Sequence, residues 1–381
     1  MRIAYCLNSI RYLGGIQRVT IVKANALAKI LSNEVYVIVT DNKHGVAMGN
    51  LDANVRVIDL DVNYYEDDWK SKYHVLKGIF VKRREHQNKL KATLEQIQPD
   101  IVISVGQSEK NMLPKIKGSW KTIREFHFVS DYRRRHAHTL FHKILAWGGE
   151  FYDRHITLKR YDQIVTLTHE DLQMNWKGWN NISVIPNPIT FNCETTTNFQ
   201  QPIIISCGRL NSQKNYKDLI EVFHHVSIKH PDWELHIYGE GEERNLLEAL
   251  VKSLKLEGKV FLKGYTSDIS SALLQSSIAA YTSIYEGFPL SILEAMESGL
   301  PIISYACPCG PRDIISDKEN GFLVSIGDIK KMSEIICMLI DDPHLMVQMG
   351  KKAKERADEF SIEHIATKWM NLFNCLMKGN K

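Results

Sequence analysis

The stretch at residues 203–223 reads IIISCGRLNSQKNYKDLIEVF. Its first five residues form a short, Ile-rich apolar run, which is typical of a strand buried on both faces. Gly208 ends this run, and a segment of helical period begins after Lys214. The stretch therefore predicts one strand–turn–helix unit of a parallel α/β sheet.

The same alternation of short Val- and Ile-rich runs with longer amphipathic segments occurs twice along the chain. It predicts repeated β-α units around two parallel sheets, which places the chain in the α/β class. In the first half, strands are predicted near Ile3–Leu7, Val35–Thr40, Val55–Asp59, Ile101–Val105, Lys121–Phe126 and Gln163–Leu167. In the second half, they are predicted near Ile203–Cys207, Glu234–Gly239, Val260–Lys263, Ile278–Thr282, Pro301–Tyr305 and Gly321–Val324.

A change of composition separates the two halves. Residues 184–202 read VIPNPITFNCETTTNFQQP, where Pro186, Pro188 and a polar tract interrupt every period, as in an interdomain connection. We expect doubly wound, Rossmann-like domains at 1–188 and 189–361, with a final helix at 362–381 that crosses back onto the first domain. Two such domains facing one another would form a cleft at the carboxyl ends of both sheets, where α/β folds bind ligands.

The composition is that of an ordinary globular protein, with 44% hydrophobic and 24% charged residues in a chain of 381. Seven cysteines show no paired metal-ligand spacing, so we expect reduced thiols and a cytoplasmic location. No segment approaches the roughly 18 uninterrupted apolar residues that a membrane span needs. Any membrane contact is therefore expected to be peripheral.

The net charge of +4 conceals two basic stretches in the first half. Residues 70–91 hold eight Lys and Arg against one acidic residue, and residues 110–160 hold twelve against four. In the second stretch, cations alternate with aromatic side chains, a mixture that suits an acceptor or an anionic leaflet. The alternative is a helix with core aromatics and solvated cations, and nucleic acid binding is not expected because no recognition motif accompanies the charge. The cations assigned to this acceptor or membrane face are Arg133, Arg134, Arg135 and Lys143.

Two small-residue turns that follow strands are candidate phosphate sites. In the first half, Gly14 and Gly15 precede a helix, so backbone N–H groups could face an anion, although an ordinary turn is the alternative. In the second half, Gly208 and Arg209 follow a strand, and Lys214 precedes a helix. An Arg fork and a Lys charge beside a helix N-terminus suit a diphosphate, and the alternative is a solvated loop with two exposed cations.

Residues 284–301 read IYEGFPLSILEAMESGLP and place Glu286 and Glu294 around the start of a predicted helix. The helix dipole stabilises an acidic residue there by roughly 0.3 to 1 kcal/mol, so capping is one explanation. Capping explains one glutamate better than it explains two.

Several motifs occur together in the second half: GRL followed by QKN, YGEGEE, KGYTSDI, EGFPLSILEAMESGLP and ACPCGPRDII. Their order and distances resemble the C-terminal half of family 4 retaining glycosyltransferases. The resemblance covers about residues 200–330, and the first half adds its Gly-Gly loop and an EFHF motif. It implies the GT-B fold, with a nucleotide-sugar donor held mainly by the second domain and an acceptor bound mainly by the first.

The resemblance implies a role for each glutamate. Glu286 would lie against the sugar hydroxyls, and Glu294 would accept hydrogen bonds from the ribose, because one carboxylate can accept from two adjacent hydroxyls. The turn between them would offer the donor the backbone N–H groups of Gly287, Phe288 and Leu290.

The resemblance also assigns the other site residues. Arg209 and Lys214 would neutralise the leaving diphosphate. His127 would meet the transferred sugar, with a packing or surface histidine as the alternative. The donor-binding set implied in this way is Gly15, Gly208, Arg209, Lys214, Gly239, Tyr265, Glu286, Gly287, Phe288, Leu290 and Glu294, and the catalytic set is Glu286, His127, Arg209 and Lys214.

No metal and no cofactor are expected, since the nucleotide sugar is a substrate. Asp59 and Asp61 have the Asp-x-Asp form that differently folded glycosyltransferases use to chelate a metal, but they lie far in sequence from the donor motifs. Acidic turn residues are also common. Cys307 and Cys309 lack the partners of a closed metal site.

The favoured interpretation is a retaining, metal-independent transferase that acts in polysaccharide or glycoconjugate biosynthesis. It would move a sugar from a nucleotide diphosphate sugar, with UDP as the default, to a hydroxyl of a glycan or lipid-linked oligosaccharide. A nucleotide-sugar epimerase of the same architecture and a catalytically inactive binding protein are the alternatives. The enzyme is expected in the cytoplasm, with peripheral contact at the inner face of the cell membrane, and its oligomeric state is not predicted.

Overall fold

The computed structural model describes residues 1–10, 14–30, 33–41, 51–64, 72–127 and 139–379. The chain forms two compact units. The first comprises Met1–Leu167, Asp171–Pro188 and Ile362–Lys381, and the second comprises Thr168–Glu170 and Ile189–Ser361. Each unit is built on its own parallel sheet.

The first unit contains a seven-stranded parallel sheet in the order β3-β2-β1-β4-β5-β6-β7. All six strands predicted for this half form, because Val and Ile runs are buried from both sides by helices. A seventh strand was not predicted, because it is only three residues long and adjoins the prolines of the connecting segment. The strands are β1 (Arg2–Leu7), β2 (Glu34–Val39), β3 (Val55–Asp59), β4 (Ile101–Ser104), β5 (Lys121–Glu125), β6 (Gln163–Thr166) and β7 (Ile182–Val184).

The helices that follow these strands are α1 (Gly15–Lys29), α2 (Lys72–Ile97), α3 (Leu140–Tyr152) and α4 (His169–Asn175). Short 3₁₀ turns lie at Leu113–Lys115 and Leu158–Arg160, and a π-helical turn at Asp153–Thr157 continues α3.

The second unit contains a six-stranded parallel sheet in the order β10-β9-β8-β11-β12-β13, and all six predicted strands form. The strands are β8 (Ile203–Cys207), β9 (Glu234–Tyr238), β10 (Val260–Gly264), β11 (Ile278–Tyr281), β12 (Ile302–Tyr305) and β13 (Gly321–Val324). The helices are α5 (Tyr216–Lys229), α6 (Arg244–Ser253), α7 (Ile269–Leu274), α8 (Leu290–Glu297), α9 (Pro311–Ile314), α10 (Ile329–Asp341) and α11 (Pro343–Ala357), and a 3₁₀ turn follows at Asp358–Phe360.

The final helix, α12 (Ile362–Lys378), belongs to the first unit. Its Trp369 and Phe373 side chains are buried in the core formed with β1, β2 and β4. The chain therefore completes the first unit only after it has built the second.

The segment 168–170 was predicted in the first domain, but the structure groups it with the second unit. Glu170 explains the difference, because its carboxylate accepts from Arg312 Nη1 at 2.8 Å and from the backbone N of Cys309 at 2.8 Å. The backbone N of His169 also donates to Asp313 Oδ1 at 2.6 Å. These contacts join residues about 140 positions apart in sequence, which no local pattern reports.

Both sheets have a point where the strand order reverses direction, between β1 and β4 in the first unit and between β8 and β11 in the second. The loops at the carboxyl ends of such neighbouring strands separate to opposite faces of the sheet and leave a crevice that binds ligands. Among the candidate site residues, Gly15 follows β1, Gly208 follows β8 and Glu286 follows β11.

Candidate functional site

The site in the second unit is built from the loops that follow β8 and β11. The two loops are held together by their backbones, since the N–H of Ile284 donates to the carbonyl of Gln213 at 2.9 Å. Thr282 adds hydrogen bonds from its Oγ1 to the carbonyls of Lys214, at 3.1 Å, and Asn215, at 2.9 Å. The side chains on these loops are therefore held in fixed positions.

The structure brings Lys214 and Glu286 together, with Lys214 Nζ donating to Glu286 Oε1 at 2.6 Å. Both side chains are largely buried, with 16% of Lys214 and 8% of Glu286 exposed. Gln213 supports the pair by donating from its Nε2 to the carbonyl of Tyr285 at 3.0 Å and, at the longer distance of 3.4 Å, to Glu286 Oε2. A cation and a carboxylate are thus placed side by side at the switch point of the sheet.

Glu294 lies on α8, the helix that follows the Glu286 loop, and is buried. Its Oε1 accepts a hydrogen bond from Thr190 Oγ1 at 2.8 Å. Burial raises the pKa of the Cys207 thiol at the end of β8, and the negative charge of Glu294 raises it further. This effect places the Glu294 carboxylate close to the carboxyl end of β8.

Three glycine turns meet at the carboxyl ends of β8, β9 and β10. A Cβ added to Gly239 would collide with the carbonyl of Gly208, and Gly239 has a φ of 140°, which side chains rarely adopt. The backbone N of Gly239 donates to the carbonyl of Gly264 at 2.8 Å. At Gly208, a Cβ would lie 2.9 Å from Lys214 Cε. Glycine is therefore needed here for close backbone packing beside the Lys214 side chain.

The other residues predicted to bind the donor differ in their exposure to solvent. Arg209 is exposed, and Tyr265, with 80% of its surface exposed, is the most exposed large apolar residue of the described chain. Phe288 is buried, with its ring centroid 5.9 Å from that of Phe360, so its side chain serves the core. Only the backbone of Phe288 can face a ligand, as it can for Gly287, and Leu290 begins α8.

In the first unit, a buried cluster of charged side chains links α1 to β5. Lys23 forms an ion pair with Glu125, and each side chain is 1% exposed. His127 Nε2 lies 3.3 Å from the same Glu125 oxygen, Oε1. Lys23 Nζ also lies 4.8 Å from the ring centroid of Trp369 on α12. The His127 side chain is only 3% exposed, so the surface alternative for this histidine is excluded.

The pKa shifts of the side chains in this cluster follow from burial and from the charges of their neighbours. Burial alone would raise the pKa of Glu125, but the charges and hydrogen bonds of Lys23 and His127 outweigh it and lower the pKa to about 2. Burial lowers the pKa of Lys23, and Glu125 offsets part of this shift. Burial also lowers the pKa of His127, again with a partial offset from Glu125. Glu125 is therefore ionised at neutral pH.

Other predictions for the first unit have mixed outcomes. Gly15 begins α1 after Gly14, which adopts an extended conformation with no side-chain cap. Lys143 is exposed on α3. Arg133, Arg134 and Arg135 lie outside the described residues. In the other basic stretch, Lys89 pairs with Glu85 at 2.7 Å and Lys82 donates to the carbonyl of Asn63, so part of that charge is used within the unit.

Asp59 and Asp61 serve the turn that follows β3. The backbone N of Asp61 donates to Asp59 Oδ1 at 2.8 Å, and Asp61 Oδ1 accepts from the side chain of Asn63. Across the described ranges, no group of three or more His, Cys, Asp and Glu is arranged to hold a metal ion. None of the described helices is both long and apolar enough to cross a membrane.

Sequence reasoning missed four residues that shape these sites: Gln213, Thr190, Lys23 and Glu125. Lys23 carried a detectable signal, because it occupies the buried face of an amphipathic helix where a charge needs a partner. Glu125 is its partner, but the two are 102 residues apart. Thr190 lies in the polar connecting segment and carried no signal.

Comparison with known proteins identifies relatives along the whole chain. Residues 194–356 match the family model "Glycosyl transferases group 1". An uncharacterized glycosyltransferase of Haemophilus influenzae is 30% identical over 378 residues, which cover 97% of this chain and 99% of that protein. The poly(ribitol-phosphate) alpha-N-acetylglucosaminyltransferase of Staphylococcus aureus is 36% identical over 175 residues, which cover 46% of this chain but only 36% of that protein.

Among solved structures, a mutant of S. aureus TarM in complex with fondaparinux, alpha-GlcNAc-glycerol and UDP is similar to this chain with a TM-score of 0.75. The similarity covers 98% of this chain and 99% of that chain at 18% sequence identity. It shows the GT-B fold, as the motifs of the second half predicted.

Proposed function

We propose, because this chain belongs to the glycosyl transferases group 1 family, that it is a retaining glycosyltransferase whose second unit binds the nucleotide sugar. The observation that carries the proposal is the ion pair between Lys214 and Glu286 beside the Gly208 turn. It places a cation suited to a diphosphate next to a carboxylate suited to sugar hydroxyls, at the switch point where α/β sheets bind ligands.

The donor is proposed to be a UDP-sugar, in line with the UDP bound in the TarM structure. Its diphosphate would lie against Lys214 and the exposed Arg209, where the absence of a side chain at Gly208 allows close approach. Glu286 would accept from the sugar hydroxyls and Glu294 from the ribose. Tyr265 and Gly239 would flank the nucleoside through their backbones.

Transfer is proposed to proceed with retention at the anomeric carbon. The acceptor hydroxyl would attack on the face that the leaving diphosphate vacates, as the bond from that carbon to the diphosphate oxygen breaks, and the hydroxyl proton would pass to that departing oxygen. Arg209 and Lys214 would stabilise the negative charge that develops on the leaving group, which is the task that a divalent metal performs in other transferases. Because two cations already meet this charge, we propose that the reaction is metal-independent.

The acceptor is proposed to bind the first unit, with His127 against the transferred sugar. A glycan or lipid-linked oligosaccharide of polysaccharide or glycoconjugate biosynthesis fits the names of relatives that act on cell-surface polymers, such as the poly(ribitol-phosphate) transferase. Such an acceptor would place the enzyme in the cytoplasm at the inner face of the membrane. The basic segment containing residues 133–135 and Lys143 would then contact anionic headgroups.

A donor panel tests the proposal. Nucleotide sugars are screened by thermal shift, since a ligand at 100 times its Kd stabilises the folded state by about 2.7 kcal/mol. Lys214→Ala is compared with Lys217→Ala, whose side chain is 61% exposed and pairs with Glu221 on the same helix. We expect a UDP-sugar to stabilise the wild type and Lys217→Ala but not Lys214→Ala. Equal stabilisation of all three proteins would contradict the assignment.

Turnover of the identified donor separates the reaction classes. A transferase consumes the donor faster when an acceptor glycan or lipid-linked saccharide is added. An epimerase changes the sugar of the donor without an acceptor, and a binding protein does neither.

A further inference from the structure

Helix α3 presents a large apolar surface to solvent. Six large hydrophobic side chains within residues 144–156 are exposed by 40–60% of their surface, the densest such group in the described chain. Ile144, Trp147 and Phe151 recur at intervals of three and four residues and therefore share one face of the helix. The exposed residues are Ile144 (59%), Leu145 (57%), Trp147 (60%), Phe151 (51%), Tyr152 (44%) and Ile156 (40%).

The same helix turns its acidic residues towards the protein. Asp153, at the end of α3, forms an ion pair with Lys110, whose side chain is 5% exposed. Glu150 Oε1 is also buried. A helix on a globular protein ordinarily buries its apolar stripe, whereas α3 exposes an apolar face. Exposing this apolar surface to water is energetically unfavourable, which indicates that an apolar partner covers it.

The charges around the surface show which partner fits. Between residues 139 and 160, the charged residues that are exposed are Lys143, Lys159 and Arg160, and all three are cations. Lys143 precedes Trp147 by four residues and therefore lies at the edge of the apolar face. A second copy of the chain would bring the same cations to the contact, whereas an anionic lipid surface brings the opposite charge.

We propose that α3 lies in the plane of an anionic lipid leaflet, with the face formed by Ile144, Trp147 and Phe151 inserted below the headgroups. Trp and Tyr side chains favour the membrane interface, and the flanking cations remain at headgroup level. This insertion adds to the proposed electrostatic contact of residues 133–135 and Lys143, because apolar insertion persists when salt screens the charges. The proposal rests on the surface of the first unit and does not depend on the reaction.

The test measures co-flotation of the full chain with vesicles of phosphatidylcholine, with and without phosphatidylglycerol, at low and high salt. We expect the wild type to bind anionic vesicles and to retain part of this binding at high salt. The double variant Trp147→Ser/Phe151→Ser should bind about tenfold less tightly or worse, which corresponds to about 1.4 kcal/mol. The matched control is Ile228→Ser/Leu246→Ser, which removes two hydrophobic side chains that are 69% and 56% exposed on helices of the second unit.

Trp147→Phe supplies a second measurement that keeps the apolar face intact. Lipids with brominated acyl chains should quench part of the tryptophan emission of the wild type, and this quenched part should be absent from Trp147→Phe. Vesicle binding that is equal in the double variant and its control would overturn the proposal. A switch from oligomer to monomer in the double variant, without vesicle binding by the wild type, would instead assign the face to a second copy. Donor binding in solution should be the same in all these variants, so failure of the proposed reaction is a separate result.

Discussion

Lys214 Nζ lies 2.6 Å from Glu286 Oε1, although the two residues are 72 positions apart in sequence. Their pairing joins the loop after β8 to the loop after β11 at the switch point of the second sheet. An ammonium has three N–H donors, so Lys214 can keep its bond to Glu286 and still donate to a phosphate oxygen. One residue can therefore position the carboxylate for the sugar and meet the charge of the diphosphate.

The first prediction concerns this double role. Lys214→Ala should lower kcat by roughly two to three orders of magnitude, the scale expected when one transition-state donor is removed. It should also raise KM, because Glu286 loses the partner that holds it. Steady-state kinetics beside Lys217→Ala would check this, and losses of similar size in the two variants would contradict it.

The two glutamates should respond differently to loss of charge. Glu286→Gln and Glu294→Gln each remove a charged hydrogen-bond acceptor, at a cost of roughly 1.5 to 3 kcal/mol. For Glu286 the loss should appear mainly in kcat, because the sugar changes charge during transfer. For Glu294 it should appear mainly in the Kd of the donor.

Thr190→Val provides the matched variant for Glu294, since it removes the hydroxyl that donates to Glu294 Oε1 at 2.8 Å and keeps the shape of the side chain. It should weaken donor binding less than Glu294→Gln does. Calorimetric titration with UDP would measure both. The assignment of Glu294 to the ribose does not survive if UDP binds both variants as tightly as the wild type.

Metal independence is the third prediction. Arg209 and Lys214 would meet the charge of the leaving diphosphate, so transfer should continue at an unchanged rate in EDTA. Arg209→Ala should reduce the rate by roughly two to three orders of magnitude. Activity that vanishes in EDTA and returns with Mg²⁺ or Mn²⁺ would show that these two cations are not sufficient.

Local periodicity predicted the fold because each strand of a buried parallel sheet is a short run of Val and Ile followed by a turn. The runs at 203–207 and 321–324 were predicted with the bounds that the structure shows. Strand β7 was missed, because it is short, only half-buried, and set between Asn181 and Pro186. Residues 168–170 were predicted in the first domain but are grouped with the second unit, because Glu170 is held by partners distant in sequence.

In the candidate site, contacts between side chains distant in sequence could not be predicted either. Motif resemblance selected Lys214 and Glu286 separately, but only the structure shows that they form a pair, and that Gln213 supports them. Phe288 was selected with its neighbours, yet its ring lies in the core, because apolar letters in a motif do not reveal which way a side chain points. Glu125 belongs to the EFHF motif, but nothing in that motif indicated Lys23 as its partner.

The fourth prediction concerns that buried pair. Glu125→Gln should lower the free energy of unfolding of the first unit by roughly 3 to 5 kcal/mol, because Lys23 is left charged and unpaired in the core. Lys23→Met combined with Glu125→Gln should recover much of this loss, because a neutral pair of similar volume carries no desolvation cost. Urea unfolding of the wild type, Glu125→Gln, Lys23→Met and the double variant would measure the coupling. A loss in the double variant equal to the sum of the two single losses would show that the charges do not depend on each other.

The pH dependence of stability supplies the last prediction. The pKa of Glu125 is lowered from 4.5 to about 2, because Lys23 and His127 outweigh the effect of burial. A carboxyl group whose pKa is lower in the folded state contributes stability above pH 4.5 and loses it as the pH falls towards 2. The pKa of His127 is lowered from 6.5 by burial, so this group likewise contributes stability above pH 6.5 that is lost on acidification. The free energy of unfolding of the wild type should therefore fall as the pH is lowered from 7 towards 4. His127→Gln should remove the part of this fall that begins near pH 6.5. The free energies of unfolding of the wild type and His127→Gln should therefore differ by an amount that changes between pH 7 and pH 5. A constant difference would show that His127 does not titrate as its burial requires.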